Sequence, residues 1–110
     1  MMSKTTDFSY HLTKYLGEYL PFMRNFSTNT IRSYRDTFKL LLTYFDIELS
    51  IPAHKLQIKN ITSDTVKSFL NWLREKRGSS ICSVNIRLAA LHAFFKYLQS
   101  REPQYIFQCQ

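Results

Sequence analysis

A chain of 110 residues fits one domain and must commit nearly every apolar side chain it has to a core. Its 45% hydrophobic and 15% aromatic content excludes disorder, and two Gly with three Pro leave too few turns for many short strands, so an all-α domain is expected. The formal charge of +7 is one-sided: residues 1–23 sum to zero, Lys4 and Lys14 against Asp7 and Glu18, and the excess from Arg24 onward favours a polyanion partner over a small acidic substrate.

The first element, "DFSYHLTKYLGEYL", gathers Phe8, Leu12, Tyr15, Leu16, Tyr19 and Leu20 on one broad helical face, with Thr6 or Asp7 placed to cap its leading N–H groups. Pro21 lacks an N–H and its ring meets the carbonyl four residues back, so it should kink or end this helix. A second helix starts from a Ser27 or Thr28 cap and carries Ile31, Tyr34, Phe38, Leu41, Leu42 and Phe45 in steps of three and four. With Phe38 inward, Asn29, Arg32, Ser33, Asp36, Lys39 and Thr43 project outward at about 100° per residue.

Residues 48–61 contain Pro52 and lose the period, which predicts a connector with room for a short helical turn. "TSDTVKSFLNWLREKRG" then reads as a third helix, capped by Thr62 or Ser63, burying Val66, Phe69, Leu70 and Leu73 and stopping at Gly78. Arg74, Lys76 and Arg77 in its last turn complement the helix dipole. The fourth helix begins near Ser79 or Ser80 and directs Val84, Leu88, Leu91, Phe95 and Leu98 to the core. Its other side holds Ser83, Ile86, Arg87, Ala89, Ala90 and Ala93, small enough for close approach to another surface or for packing of Ala89 and Ala93 against the second helix. In "QYIFQCQ", Ile106 and Phe107 stand beside the terminus, as expected where a longer chain is cut.

Little in this chain suggests catalysis. His11, His54 and His92 are isolated from one another and from any Cys or carboxylate cluster, so no metal site is expected. There is no Gly-rich phosphate loop, no nucleophile elbow and no carboxylate pair among eight acidic residues, and no cofactor is expected. Tyr15, Tyr19, Tyr34, Tyr44 and Tyr97 lie in or beside apolar stripes, where a Tyr packs its ring and sends its hydroxyl to the rim. Cys82 and Cys109 form neither a disulfide framework nor a zinc pattern, which points to a reducing, cytoplasmic compartment. "MMSKTTDFSYHL" lacks the apolar segment of a signal peptide, and no stretch reaches the roughly 20 apolar residues of a membrane span, so no membrane partner is expected.

Polar faces on the second and fourth helices remain. Arg and Lys neutralise phosphates, Asn, Ser and Arg hydrogen-bond base edges, and a helix fits the major groove. Two solvated faces of an ordinary bundle would look similar. A helical protein–protein interaction module without DNA binding would also explain the alanine face. A helix-turn-helix regulator would explain the charge, although no two short helices joined by a tight turn are present.

"FSTNTIRSYRDTFKLLLTYF", followed after a connector by "ITSDTVKSFLNWLREKRGSSICSVNIRLAALHAFFKYLQSREP", resembles the N-terminal core-binding, SAM-like domain of tyrosine recombinases, the phage integrase family. The resemblance covers roughly residues 8–103 and rests on the capped "S-x-N-T-x-x-x-Y" opening, the "ITSDTV…FLNWL" helix and the "SVNIRLAALHAFFKYL" helix, in that order. It implies a compact orthogonal bundle of four to five helices that clamps one face of double-stranded DNA for integration and recombination. Residues 1–103 would form this core-binding domain, and residues 104–110 would begin the linker to a C-terminal catalytic domain of the same protein. That domain would supply the Tyr nucleophile, arginines and H-x-x-R motif, so this chain is expected not to be an enzyme by itself, and further recombinase protomers would join it on DNA. Position by position, the resemblance points to Thr28, Asn29, Arg32, Ser33 and Lys39 on the second helix and Ser83, Asn85 and Arg87 on the fourth as DNA-binding residues. Ile86 and Ala90 stand where the family often has polar residues, so shape and phosphate contacts should dominate over base readout.

Overall fold

The computed structural model describes residues 6–23 and 27–101, and among them all regular structure is helical. The longer elements are α1 (Asp7–Lys14), α2 (Leu20–Phe22), α3 (Thr28–Glu48), α4 (Ser63–Lys76) and α5 (Ile81–Arg101). The described residues fall into two compact units, one up to Asn60 and one from Ile61 onward. The expected domain end near Pro103, the linker from 104 to 110, and Arg24, Ile106, Phe107 and Cys109 lie outside the described residues.

In the first unit, the Thr6 side chain caps α1 by accepting the Ser9 N–H at 3.1 Å. Asp7 reaches further: its Oδ1 accepts both the neighbouring Phe8 N–H at 2.7 Å and the Ile58 N–H at 2.9 Å, and so ties the connector to the start of α1. Pro21 does not stop the helix at once. The backbone widens into a π turn over Tyr15–Tyr19, where the Leu20 N–H bonds to the Tyr15 carbonyl, and α-helix resumes through Pro21 to Phe22. A π turn adds a residue to the ring of bonds ahead of the proline, which relieves the clash with the carbonyl behind it. This helix and its π turn pack on α3, with Phe8 and Phe38 at a ring distance of 6.4 Å. Phe8, Tyr15 and Leu20 are buried as their spacing predicts; His11, on the flank of that stripe, is buried too.

α3 follows its sequence pattern in part: of the predicted stripe, Ile31, Tyr34 and Leu42 are half-buried, and Tyr44 is buried beside it. The Ser27 side chain caps it, accepting the Thr30 N–H at 3.1 Å, and Phe38, Leu41 and Phe45 are fully buried. Thr37 is also fully buried, which it tolerates because its Oγ1 donates to the Ser33 carbonyl at 3.0 Å. The chain leaves α3 with Ser50 at a left-handed φ of 55°, and the next N–H, of Ile51, returns to the Phe45 carbonyl at 2.9 Å. The connector holds two 3₁₀ turns, Ala53–Lys55 and Ile58–Asn60, and places Leu56 and Ile58 in the core.

The second unit is an α4–α5 pair. Thr62 and Thr65 cap α4 reciprocally: the Thr62 hydroxyl accepts the Thr65 N–H at 3.2 Å, and the Thr65 hydroxyl accepts the Thr62 N–H at 2.7 Å. Phe69 and Leu73 are fully buried; Trp72, which the period left unassigned, is buried beside Phe69 at a ring distance of 6.2 Å. Gly78 takes the expected left-handed φ, 66°, and the Ser79 N–H then returns to the Leu73 carbonyl at 3.0 Å. Ser80 begins α5, its Oγ accepting the Ser83 N–H at 3.1 Å.

The burial of α5 departs from expectation. Val84, Leu91 and Leu98 are buried as predicted, but Phe94 is fully buried where Phe95 was expected, and Leu88 and Phe95 are only half-buried. Ala90, expected to face outward, is fully buried, and Tyr97 stacks on Phe94 at 6.3 Å. The helix is rotated by roughly a quarter-turn from the orientation its pattern suggested. The physical reason is compositional: between Ile81 and Phe95 only Arg87 is charged, so few polar anchors fix which side faces water.

Candidate nucleic-acid interface

Ser27 starts α3 early enough that its first turn stands clear of the core, leaving Thr28 and Asn29 exposed. Arg32 and Lys39 are exposed as predicted. Ser33 is half-buried, its carbonyl engaged by Thr37, and Thr43 is half-buried with its hydroxyl donating to the Lys39 carbonyl at 2.9 Å. Arg35, absent from the expected site, is exposed. Its spacing of three from Arg32 and four from Lys39 puts the three cations on one ridge, spanning about 10 Å at 1.5 Å per residue. That spacing was the available signal. Asp36 is exposed beside the ridge, yet among the described residues none of the three cations is held in an ion pair. The ion pair present, Lys14 to Glu18 at 3.8 Å, lies on the first helix.

On α5, Asn85 is exposed, whereas Ser83 and Arg87 are half-buried on the side turned toward the core. Ser83 spends its backbone N–H on Ser80, and its hydroxyl accepts from the Ser80 hydroxyl at 3.2 Å. The exposed face runs instead through Cys82, Asn85, Ile86, Ala89, His92 and Lys96. Ala89 is exposed and Ala93 half-buried.

The chain matches the family described as "Phage integrase, N-terminal SAM-like domain" over residues 12–102. It therefore belongs to the phage integrase family, as an N-terminal SAM-like domain. Two proteins of Sinorhizobium fredii (strain NBRC 101917 / NGR234) are similar to it. "Putative integrase/recombinase y4rC" is 34% identical over 109 residues, 99% of this chain and 33% of that protein. Its counterpart y4rD is 32% identical over 92 residues, 84% of this chain and 33% of that protein. The integrase domain thus spans about a third of the length of these relatives. No solved structure matches it.

Within this integrase domain the tyrosines behave as packing residues. Tyr15, Tyr44 and Tyr97 are buried, Tyr19 and Tyr34 are half-buried, and Tyr10 is exposed with the Lys14 ammonium 5.4 Å above its ring. Of the basic residues ending α4, Arg77 lies 5.5 Å over the Trp72 ring and so covers an aromatic edge, while Arg74 borders a shallow open cleft with Asn71, Glu75, Gly78 and Ser79. Among the described residues no three His, Cys, Asp or Glu side chains come together as metal ligands. No described helix is long and apolar enough to cross a membrane.

Proposed function

We propose that this integrase domain binds double-stranded DNA as the core-binding part of a cytoplasmic tyrosine recombinase, clamping one face of its target. The observation that carries this reading is the ridge of Arg32, Arg35 and Lys39, three exposed cations without ion-pair partners among the described residues, on one stripe of a capped 21-residue helix. Such a stripe can neutralise phosphates along one strand. Thr28 and Asn29, in the exposed first turn of α3, can add hydrogen bonds to the same backbone, and Asn85 extends the contact on α5. Ser33, Ser83 and Arg87 are half-buried, so their share in binding is through backbone position or the rim of the contact. Strand breakage and rejoining belong to a catalytic domain outside this chain, with other recombinase protomers on the same DNA.

Titrating a labelled duplex with this chain at several salt concentrations tests the proposal. Affinity should be about micromolar or weaker near physiological salt and fall steeply as salt rises. Arg32→Ala and Lys39→Ala should each weaken binding to all sequences alike and reduce the salt slope by about one. A protein-interaction module would show no such dependence. Binding indifferent to salt, or none at low salt, removes the DNA reading.

A further inference from the structure

We infer that the end of α3 is a docking knob for a second copy of this domain, received by the cleft at the α4–α5 corner of that copy. The last turn of α3 stands clear of the core: every residue from Asp46 to Ser50 is exposed, Ile47 at 62% and Leu49 at 39%. Aliphatic side chains in water are unfavourable, and the carboxylates interleaved with them, Asp46 and Glu48, sit at the negative end of the helix dipole, where cations belong. That turn holds no basic residue, and among the described residues neither carboxylate is in an ion pair. His54 and Lys55, on the 3₁₀ turn that packs on α3, are exposed and leave them unpaired. Two local rules broken at one exposed place point to a contact made there.

The arrangement narrows the occupant. Successive helical residues stand about 100° apart, so acid, apolar, acid and apolar groups face four sides in turn. Such a tip enters a socket rather than lying on a flat surface. Asp46 and Glu48, about 200° apart, face away from each other and cannot chelate one cation. DNA phosphates are repelled by the same two carboxylates. What fits is a concave site that brings both positive charge and apolar surface.

This chain carries one. Between the end of α4 and the start of α5 lies an open cleft of about 390 Å³ lined by Asn71, Arg74, Glu75, Gly78 and Ser79. Lys76 and Arg77 are exposed beside it, and Ile81, two residues beyond Ser79, is 65% exposed. Three cations, Arg74, Lys76 and Arg77, against the one carboxylate of Glu75 leave two positive charges, which match the two negative charges of the tip. The α3 ridge has cations but no such socket, and no large apolar side chain is exposed from Thr28 to Asp46. Copies that each carry +7 repel one another and meet only where unlike charges face, as tip and cleft allow. One helical turn in a cleft buries less than the roughly 800 Å² per partner of a stable interface, so the association is weak.

Sedimentation equilibrium of the full chain at low salt, up to about 1 mM, tests this without DNA. Half-association should fall at roughly 0.3 mM and weaken several-fold as salt rises. Asp46→Asn with Ile47→Ser removes the knob, Arg74→Gln with Ile81→Ser removes the socket, and each double variant alone should stay monomeric. In an equal mixture the first variant keeps its cleft and the second its tip, so pairs should form again with about the wild-type affinity. All four positions are exposed, and circular dichroism with urea denaturation checks that both variants fold. A wild-type chain that stays monomeric at the highest concentration, association that either variant retains, or a mixture that stays monomeric would each overturn the inference. None of these outcomes bears on DNA binding, which the duplex titration reads separately.

Discussion

α3 and α5 have the same length, 21 residues, and the same start, a serine whose hydroxyl takes the N–H three residues on, yet one wears charge on its outer face and the other almost none. On α3, Arg32, Arg35, Asp36 and Lys39 mark one side as water-facing, and Phe38, Leu41 and Phe45 opposite are buried as the spacing predicts, with Ile31, Tyr34 and Leu42 half-buried on the flank. On α5 the apolar and small residues go nearly all the way round, and the helix settles a quarter-turn from its nominal stripe. A helix whose phase is fixed by desolvation of charges can be read from its own sequence, because burying an unpaired charge costs far more than exposing a methyl. A helix of Leu, Ala and Phe can be rotated at small cost, and its neighbours choose the phase.

The largest expected effect tests the phase of α5 against that of α3. Phe38→Ala and Phe94→Ala should each cost about 3–5 kcal/mol in urea denaturation, since both rings are fully buried. Phe95→Ala should cost clearly less, because Phe95 is half-buried. If Phe95→Ala were the more damaging of the adjacent pair, the rotation of α5 would be wrong and the nominal stripe right.

Legibility followed the same physical line. The caps at Ser27 and Thr62, the stop at Gly78 and the centre of the α3 stripe, Phe38, Leu41 and Phe45, were readable, because each rests on a local rule of hydrogen bonding, backbone freedom or charge. The cation ridge was readable in part, with Arg35 passed over although its spacing was in plain view. Leu56 and Ile58 were not readable as core: the connector has no period, and a long-range bond from the Ile58 N–H to Asp7 helps hold it in place. The π turn was not readable either. Pro21 announces a disturbance, but the chain could have met it with a kink, a break or a widened turn.

A smaller effect comes from the adjacent alanines of α5. Ala90 is fully buried and Ala89 exposed, so one position has no room for three more carbons and the other opens to solvent. Ala90→Leu should destabilise by about 1–3 kcal/mol through overpacking. Ala89→Leu should stay within about 0.5 kcal/mol. Equal effects at the two positions would mean that this part of α5 is loosely packed and its outward face poorly defined.

The smallest effect asks whether the two long helices, so different in their faces, are alike where they begin. In α3 the Ser27 hydroxyl accepts the Thr30 N–H at 3.1 Å and lies 3.1 Å from the Thr30 hydroxyl; in α5 the Ser80 hydroxyl accepts the Ser83 N–H at 3.1 Å and lies 3.2 Å from the Ser83 hydroxyl. In each case a hydroxyl stands at the third helical position, where Glu or Gln would complete a capping box. The cap satisfies one of the N–H groups that the first turn leaves without a carbonyl, and this requirement is blind to what the rest of the helix faces. Ser27→Ala and Ser80→Ala should therefore cost nearly the same, about 1 kcal/mol each, and glycine at either position only a few tenths. Urea denaturation of the four single variants measures this directly. A large cost at Ser27 with none at Ser80 would show that the first turn of α5 is held by something other than its cap, and the two helices would then differ from their first residue onward.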